Sequence, residues 1–219
     1  PRTFVVDVGT RDALDGVRKL TDDYDMNAVA SIMNTTPVNA AVVQHWQEHA
    51  ARRKTIAFAA TVDHAYAVCH AFIAAGVKAA VVHGEMTPAE RQSTLRSYES
   101  GDVTVLVNVA VLTEGYDYTP TSCVVLLRPS SYKSTLIQMV GRGLRTVDPE
   151  EHPGVVKTDC IVLDFGTSSL IHGTLEQDVD LALTHFTPAA HGQVRGDEYR
   201  AETHALKTAD QDRKSTRLN

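Results

Sequence analysis

The 219-residue chain is predicted to fold as an α/β domain, with a mainly parallel sheet covered by helices on both faces. Two observations predict it. Between about residues 54 and 165, runs such as Ile56-Ala57-Phe58, Val105-Leu106-Val107 and Cys123-Val124-Val125-Leu126 are apolar throughout instead of alternating with polar residues. That is the pattern of strands buried on both sides. Segments with helix-start and helix-stop residues stand between these runs, and such alternation marks parallel crossovers.

Each element follows in order. Thr3-Phe4-Val5-Val6-Asp7-Val8 is strand-like, and residues 7–38 read as short helices leading in from something upstream. Residues 40–53 form an amphipathic helix offering Ala41, Val42, Val43 and Trp46 for burial. Residues 54–60 are a buried strand. Thr61 then N-caps a helix over 62–75 that Gly76 stops. Residues 77–83 are the next strand. Thr87-Pro88-Ala89-Glu90 is a capping box with proline at the first helical position, opening a helix to about Ser100, with Gly101 behind it. Strands follow at 102–109, 122–127 and 159–164, and the helix carrying Gln138 lies between the last two.

Beyond Gly173 the apolar periodicity fades, so 173–211 is expected to be a loosely ordered extension. Residues 212–219 (DRKSTRLN) resemble the translation of a sequencing adapter and are expected to be an artefact outside the fold. The chain begins with Pro1, and a fragment of a longer protein is the expectation.

Composition sets bounds on function. Hydrophobic residues make up 43% and charged residues 22%, as in ordinary globular proteins. A net charge of −6 gives no overall basic field, so any nucleic-acid contact must come from a local patch. Cys69, Cys123 and Cys160 lie far apart in apolar runs and read as reduced, buried thiols. Ten histidines appear without an HExxH or a Cys/His cluster, so no metal site is expected. No apolar run approaches about 18 residues, which leaves no membrane partner and a cytoplasmic location as the expectation.

The most informative stretch is Gln138-Met139-Val140-Gly141-Arg142-Gly143-Leu144-Arg145. On a helix, Gln138, Arg142 and Arg145 fall within roughly 60° of one another. Two guanidiniums and an amide then project together, with glycines between them that let another surface approach. Arginine offers a planar fork of donors suited to the spreading charge of a transferring phosphoryl group. Upstream, Thr113-Glu114-Gly115-Tyr116-Asp117 follows a strand, where a glycine permits close backbone approach and a carboxylate can engage a ribose or an arginine. Gly141-x-Gly143 is no dinucleotide fingerprint, because Thr146 stands where a third glycine belongs and no strand leads into it.

VLVNVAVLTEGYDYTP (105–120) followed by QMVGRGLR (138–145) resembles motifs V and VI of superfamily 2 helicases. KTIAFAATVDHA (54–65) looks like their motif IV, and His83-Gly84 with Arg91 resembles the His-Gly element between them. The match runs through about residues 40–166. It is most similar to DEAD/DEAH-type DNA helicases with restriction-endonuclease-like motors and to excision-repair helicase subunits.

The resemblance implies a RecA-like three-layer domain over 40–172, the C-terminal of two motor domains. Residues 1–39 would then connect it to the N-terminal one. Such motors bind ATP in the cleft between the domains, with Mg²⁺ held by the N-terminal domain. The chain has no GxxxxGK[ST] and no DExx box, so the resemblance implies only half of an ATP site. Arg142 and Arg145 would be arginine fingers, and Gln138 would position the attacking water or the phosphate network. Gly115, Asp117 and Gly141 would approach the nucleotide. Thr61, His83, Gly84, Asn108 and Thr113 would meet nucleic acid, expected to be DNA with RNA left open. Relatives carry a Thr-Asp pair where this chain has Val109-Ala110, so Asn108 or Thr113 would make that polar contact. Thr61 is needed as a helix cap whether or not it also meets phosphate. Two rival readings are a restriction-enzyme translocase motor and a catalytically silent nucleic-acid-binding module.

Overall fold

The computed structural model describes residues 1–173 apart from 22 and 113–115, together with the strand backbone at 178–179 and 186–187. In chain order the elements are β1 (Arg2–Val5), α1 (Arg11–Asp15), α2 (Met26–Met33), α3 (Thr36–Ala50), β2 (Thr55–Phe58), α4 (Val62–Ala74) and β3 (Ala79–His83). There follow α5 (Pro88–Ser100), β4 (Val105–Val109), β5 (Cys123–Leu126), α6 (Lys133–Leu144), β6 (Ile161–Asp164) and α7 (Ser168–His172). Residues 1–172 make one unit. In the second, β7 (Asp178–Val179) and β8 (Phe186–Thr187) pair antiparallel. The rest of the expected extension to 211, and the expected artefact at 212–219, lie outside the described residues.

The six long strands form one sheet in the order β1-β6-β5-β2-β4-β3, with every pairing parallel. This is the α/β, RecA-like, three-layer arrangement predicted. The five expected core strands all appear, each shorter than its apolar run. A sixth, β1, adds to the edge beside β6 with Thr3 opposite Val162. The Arg2 guanidinium fastens it to the Asp159 carboxylate at 2.6 Å, which also takes Arg53 at 2.7 Å.

Burial explains the pattern. Every residue of β2, β5 and β6 is buried, and alternate residues face opposite helical layers. Ala57, Val107, Val125 and Leu163 share a core with Val42 and Trp46 of α3 and Val68 and Phe72 of α4. Ile56, Leu106, Val124 and Val162 are equally buried on the other face, which α5 and α6 cover with Tyr98, Leu136, Met139 and Val140. The Trp46 indole nitrogen donates to the Thr55 hydroxyl at 2.8 Å, so its polar atom is not stranded.

Local signals set the helix ends. Thr87 and Glu90 complete the predicted capping box, and Gly101 ends α5 in the left-handed region at φ 97°. The helix expected from residue 40 begins four residues earlier. Thr35 accepts from the Val38 amide, and Pro37 occupies the first turn, a start signal that the apolar pattern alone does not weigh.

α6 approaches the sheet most closely at Gly143. A Cβ there would lie 2.5 Å from Cys160 Sγ and 2.8 Å from Val124 Cγ2, whereas one at Gly141 would meet nothing within 4 Å. Gly143→Ala is therefore expected to lower stability by about 1–3 kcal/mol through overpacking. Gly141→Ala is expected to be neutral, or stabilising by up to about 1 kcal/mol through helix propensity. Urea denaturation of the two variants side by side checks this, and equal midpoints would refute the packing argument.

Candidate functional site

Because all six strands run the same way, the sheet has one carboxyl edge and one amino edge. The candidate residues divide between them. Thr61 follows β2, His83 ends β3 with Gly84 just beyond it, and Asn108 is the penultimate residue of β4. With β2, β4 and β3 adjacent in the sheet, the strand ends bearing these four residues lie side by side at the carboxyl edge.

Their chemistry differs. Thr61 is the N-cap of α4, its hydroxyl accepting from the His64 amide at 3.3 Å. The remaining first-turn amides and the positive end of the helix dipole lie beside it, an arrangement suited to phosphate. His83 is buried, and its Nε2 shares a hydrogen bond of 3.2 Å with the hydroxyl of Tyr66, whose ring lies edge-on to the imidazole. Its Nδ1 has no hydrogen-bond partner among the described residues. The Gly84 carbonyl accepts from Arg91 Nη2 at 3.2 Å, so Arg91 buttresses this loop. Asn108 is fully buried and its Oδ1 accepts from the amides of Val111 and Leu112 at 3.1 and 3.0 Å. Those bonds hold the turn through Ala110, which sits at φ 56°, a conformation that costs a non-glycine residue about 1–3 kcal/mol. Asn108 Nδ2 lacks a hydrogen-bond partner among the described residues. Thr113 and Gly115 lie outside the described residues.

α6 starts beyond the carboxyl end of β5 and runs back across the sheet. A helix of 12 residues covers about 18 Å, so its last turn reaches the amino edge. Gln138 is exposed midway. Arg142 is half-buried and donates through Nη1 to the Tyr116 carbonyl at 2.5 Å. Arg145 pairs with the Asp117 carboxylate. The Tyr116 hydroxyl donates to Glu99 near the end of α5 at 3.3 Å. Lys157 Nζ clamps the Thr119 and Arg145 carbonyls at 2.7 and 2.6 Å, and burial pushes its ammonium pKa down.

Two findings differ from the reading of the helix as a single face. α6 ends at Leu144, and Arg145 is its C-cap with ψ 139°, so the Asp117 pair and the Lys157 clamp help orient it as well as helical periodicity. The two glycines also serve different ends: Gly143 lets α6 lie on the sheet, and only Gly141 leaves open space beside the helix. Tyr66 and Lys157 went unnoticed in the sequence because each acts across the fold, 17 residues from His83 in one case and 38 from Thr119 in the other.

The fold is that of an α/β, RecA-like domain. The helicase conserved C-terminal domain family matches residues 38–147, and the chain belongs to that family. A Saccharomyces cerevisiae relative named ATP-dependent helicase IRC3 is 29% identical over 161 residues, 72% of this chain and 22% of its own length. A Schizosaccharomyces pombe relative named mitochondrial ATP-dependent helicase irc3 is 40% identical over 138 residues, 63% of this chain and 22% of its own length. The chain thus spans about a fifth of the length of these relatives. Among solved structures, S. cerevisiae Dbp5 bound to RNA and ADP BeF3 aligns with a TM-score of 0.47 at 16% identity, over 74% of this chain and 34% of that one. Among the described residues, no helix is long and apolar enough to cross a membrane.

Two measurements test the local chemistry of α4. Thr61→Ala is expected to cost about 1 kcal/mol and Thr61→Ser almost nothing, because the hydroxyl caps the helix in the absence of any ligand. Unchanged stability in Thr61→Ala would remove the capping role. His64 is fully buried, both ring nitrogens lack hydrogen-bond partners among the described residues, and burial lowers its pKa to about 4. The unfolded chain takes up this proton near pH 6.5 while the folded chain resists it. Its contribution is therefore complete above pH 6.5 and falls by roughly 3 kcal/mol as the pH drops to about 4. His64→Leu should flatten that part of the stability profile, read as the difference between variant and parent in denaturant titrations.

Proposed function

We propose that this chain is the second motor domain of an ATP-dependent DNA helicase or translocase. In this reading Arg142 and Arg145 serve an ATP site shared with a neighbouring RecA-like domain, and the carboxyl-edge residues grip the nucleic-acid backbone. The observation that carries it is the pairing of both arginines with one short segment, Arg142 with the Tyr116 carbonyl and Arg145 with Asp117. That segment continues from β4, whose end carries Asn108 at the opposite edge. One stretch of chain therefore touches both candidate sites, and a shift at one end has a direct route to the other.

The residues at the amino edge fit a phosphate. They offer two guanidiniums with a glutamine on the preceding turns, and Gly141 leaves room for a close approach. The Arg145 and Asp117 side chains are 39% and 63% exposed, and pairs at such exposure hold about 0–1 kcal/mol. A phosphate oxygen can therefore displace Asp117 at little cost. The bound nucleotide supplies the phosphoryl group and the charge that develops as it leaves. Arg142 and Arg145 donate hydrogen bonds to that charge, and Gln138 orients the attacking water or the phosphate network. Asp117 already faces an arginine, and the Mg²⁺ ligands are expected in the partner domain.

At the carboxyl edge the α4 amides beside Thr61 bind a backbone phosphate, while His83, Gly84, Asn108 and Thr113 are the further candidates for contact with the strand. Contacts of this kind position the strand without reading its sequence. DNA is the expected substrate, and matched DNA and RNA oligonucleotides tested on the same protein separate the two.

In the intact protein, Arg142→Ala and Arg145→Ala are each expected to cut ATP turnover by about a thousandfold or more. Nucleic-acid affinity should change by less than about threefold, since the arginines touch no backbone phosphate. Steady-state ATPase assays and anisotropy titrations on the same preparations check this. Loss of binding with normal turnover would sink the assignment, and so would robust ATPase activity from residues 1–173 alone.

A further inference from the structure

α3 carries a group of side chains that the nucleotide and nucleic-acid readings leave unused. His45, Glu48 and His49 stand at positions i, i+3 and i+4 of one helix, which places them together on one face. Each offers one ligand atom, and these atoms all lie within 4.8 Å of one another. His45 Nδ1 faces a Glu48 carboxylate oxygen at 3.8 Å. It is buried and has no hydrogen-bond partner among the described residues, a nitrogen withdrawn from water without compensation.

The rings are also held in place. Phe4 of β1 stacks on His49 with centroids 4.3 Å apart and planes 18° from parallel. The two imidazoles lie 6.1 Å apart and 13° from parallel, and Phe165, just after β6, meets His45 edge-on at 5.9 Å. Aromatic contacts on both sides restrict the ring rotations that a flexible surface pair would have to give up on binding a ligand.

We infer that His45, Glu48 and His49 form a binding site for a divalent transition-metal ion of the zinc class. Two imidazole nitrogens and one carboxylate oxygen are the donors such ions take, with ligand distances of about 2.0–2.2 Å and a fourth position left for water. Two nitrogens on one tetrahedral zinc stand about 3.4 Å apart, so donor atoms within 4.8 Å of one another already lie close to that spacing. The ion would satisfy His45 Nδ1 and neutralise Glu48. Through Phe4 and Phe165 it would stiffen the seam between α3 and the β1–β6 edge of the sheet. Metal binding to the folded form alone raises stability by mass action. The inference stands apart from the nucleotide reading, since that reading assigns no role to His45, Glu48 or His49.

The test is zinc chloride titration of the 219-residue chain, without a purification tag, in a non-chelating buffer. Calorimetry is expected to show one zinc per chain, and saturating zinc should raise the melting temperature by about 4 °C or more, reversed by EDTA. His45→Asn and His49→Asn should each weaken binding about tenfold or more, with Glu48→Gln intermediate. Absence of binding at about 1 mM zinc, or unchanged affinity in the double histidine variant, would overturn the site. Should a variant lose its fold, NMR of the parent decides. Zinc must move the His45 and His49 imidazole resonances, and movement confined to other histidines overturns the inference.

Discussion

α6 lies against the sheet with no space for a side chain at Gly143, where Cys160 and Val124 stand within 3 Å of any Cβ. That close approach governs the rest. It seats Leu136, Met139 and Val140 in the core and fixes how far the helix runs toward the amino edge. It thereby sets where Arg142 and Arg145 emerge. Interiors are packed like organic crystals, so a helix held this tightly does not drift. The side chains at its end inherit that precision.

Around this rigid element the two edges are built with different strengths. At the carboxyl edge Asn108 and His83 are buried. Asn108 holds a strained turn, Thr61 caps α4, and the Tyr66–His83 pair sits against the end of β3. At the amino edge the arginines meet a carbonyl and an exposed carboxylate, contacts that water screens and a stronger anion can replace. An arrangement that is firm beneath the proposed nucleic-acid track and exchangeable at the proposed phosphate site suits the proposed ATP-dependent role. Asn108 and Asp117 lie nine residues apart in the chain, so the proposed coupling between the edges has a covalent route.

Much of the fold was legible from local pattern. Continuous apolar runs identified buried parallel strands because the sheet is covered on both faces. Thr87-Pro88-Ala89-Glu90 announced α5 because a capping box is a contact between residues three apart. Of the site, the helix bearing Gln138 and Arg142 was also visible in advance, since its apolar residues recur at helical spacing. Less visible were β1, whose place beside β6 depends on Arg2 and Asp159 across most of the chain, and the early start of α3 at Thr35. The cluster of His45, Glu48 and His49 carried a signal in its spacing, yet a search restricted to HExxH and Cys/His patterns passes over it.

What the amino-acid sequence determined by itself was the succession of strands and helices and the presence of a guanidinium pair suited to phosphate. These follow from interactions within a few residues of one another. The tertiary structure decided which edge each candidate occupies, that Gly143 serves packing while Gly141 stays open, and that Asp117 and Lys157 hold Arg145 where α6 ends. Those outcomes rest on contacts between residues that are distant in the chain. They exist only once the sheet has assembled and α6 has settled onto it.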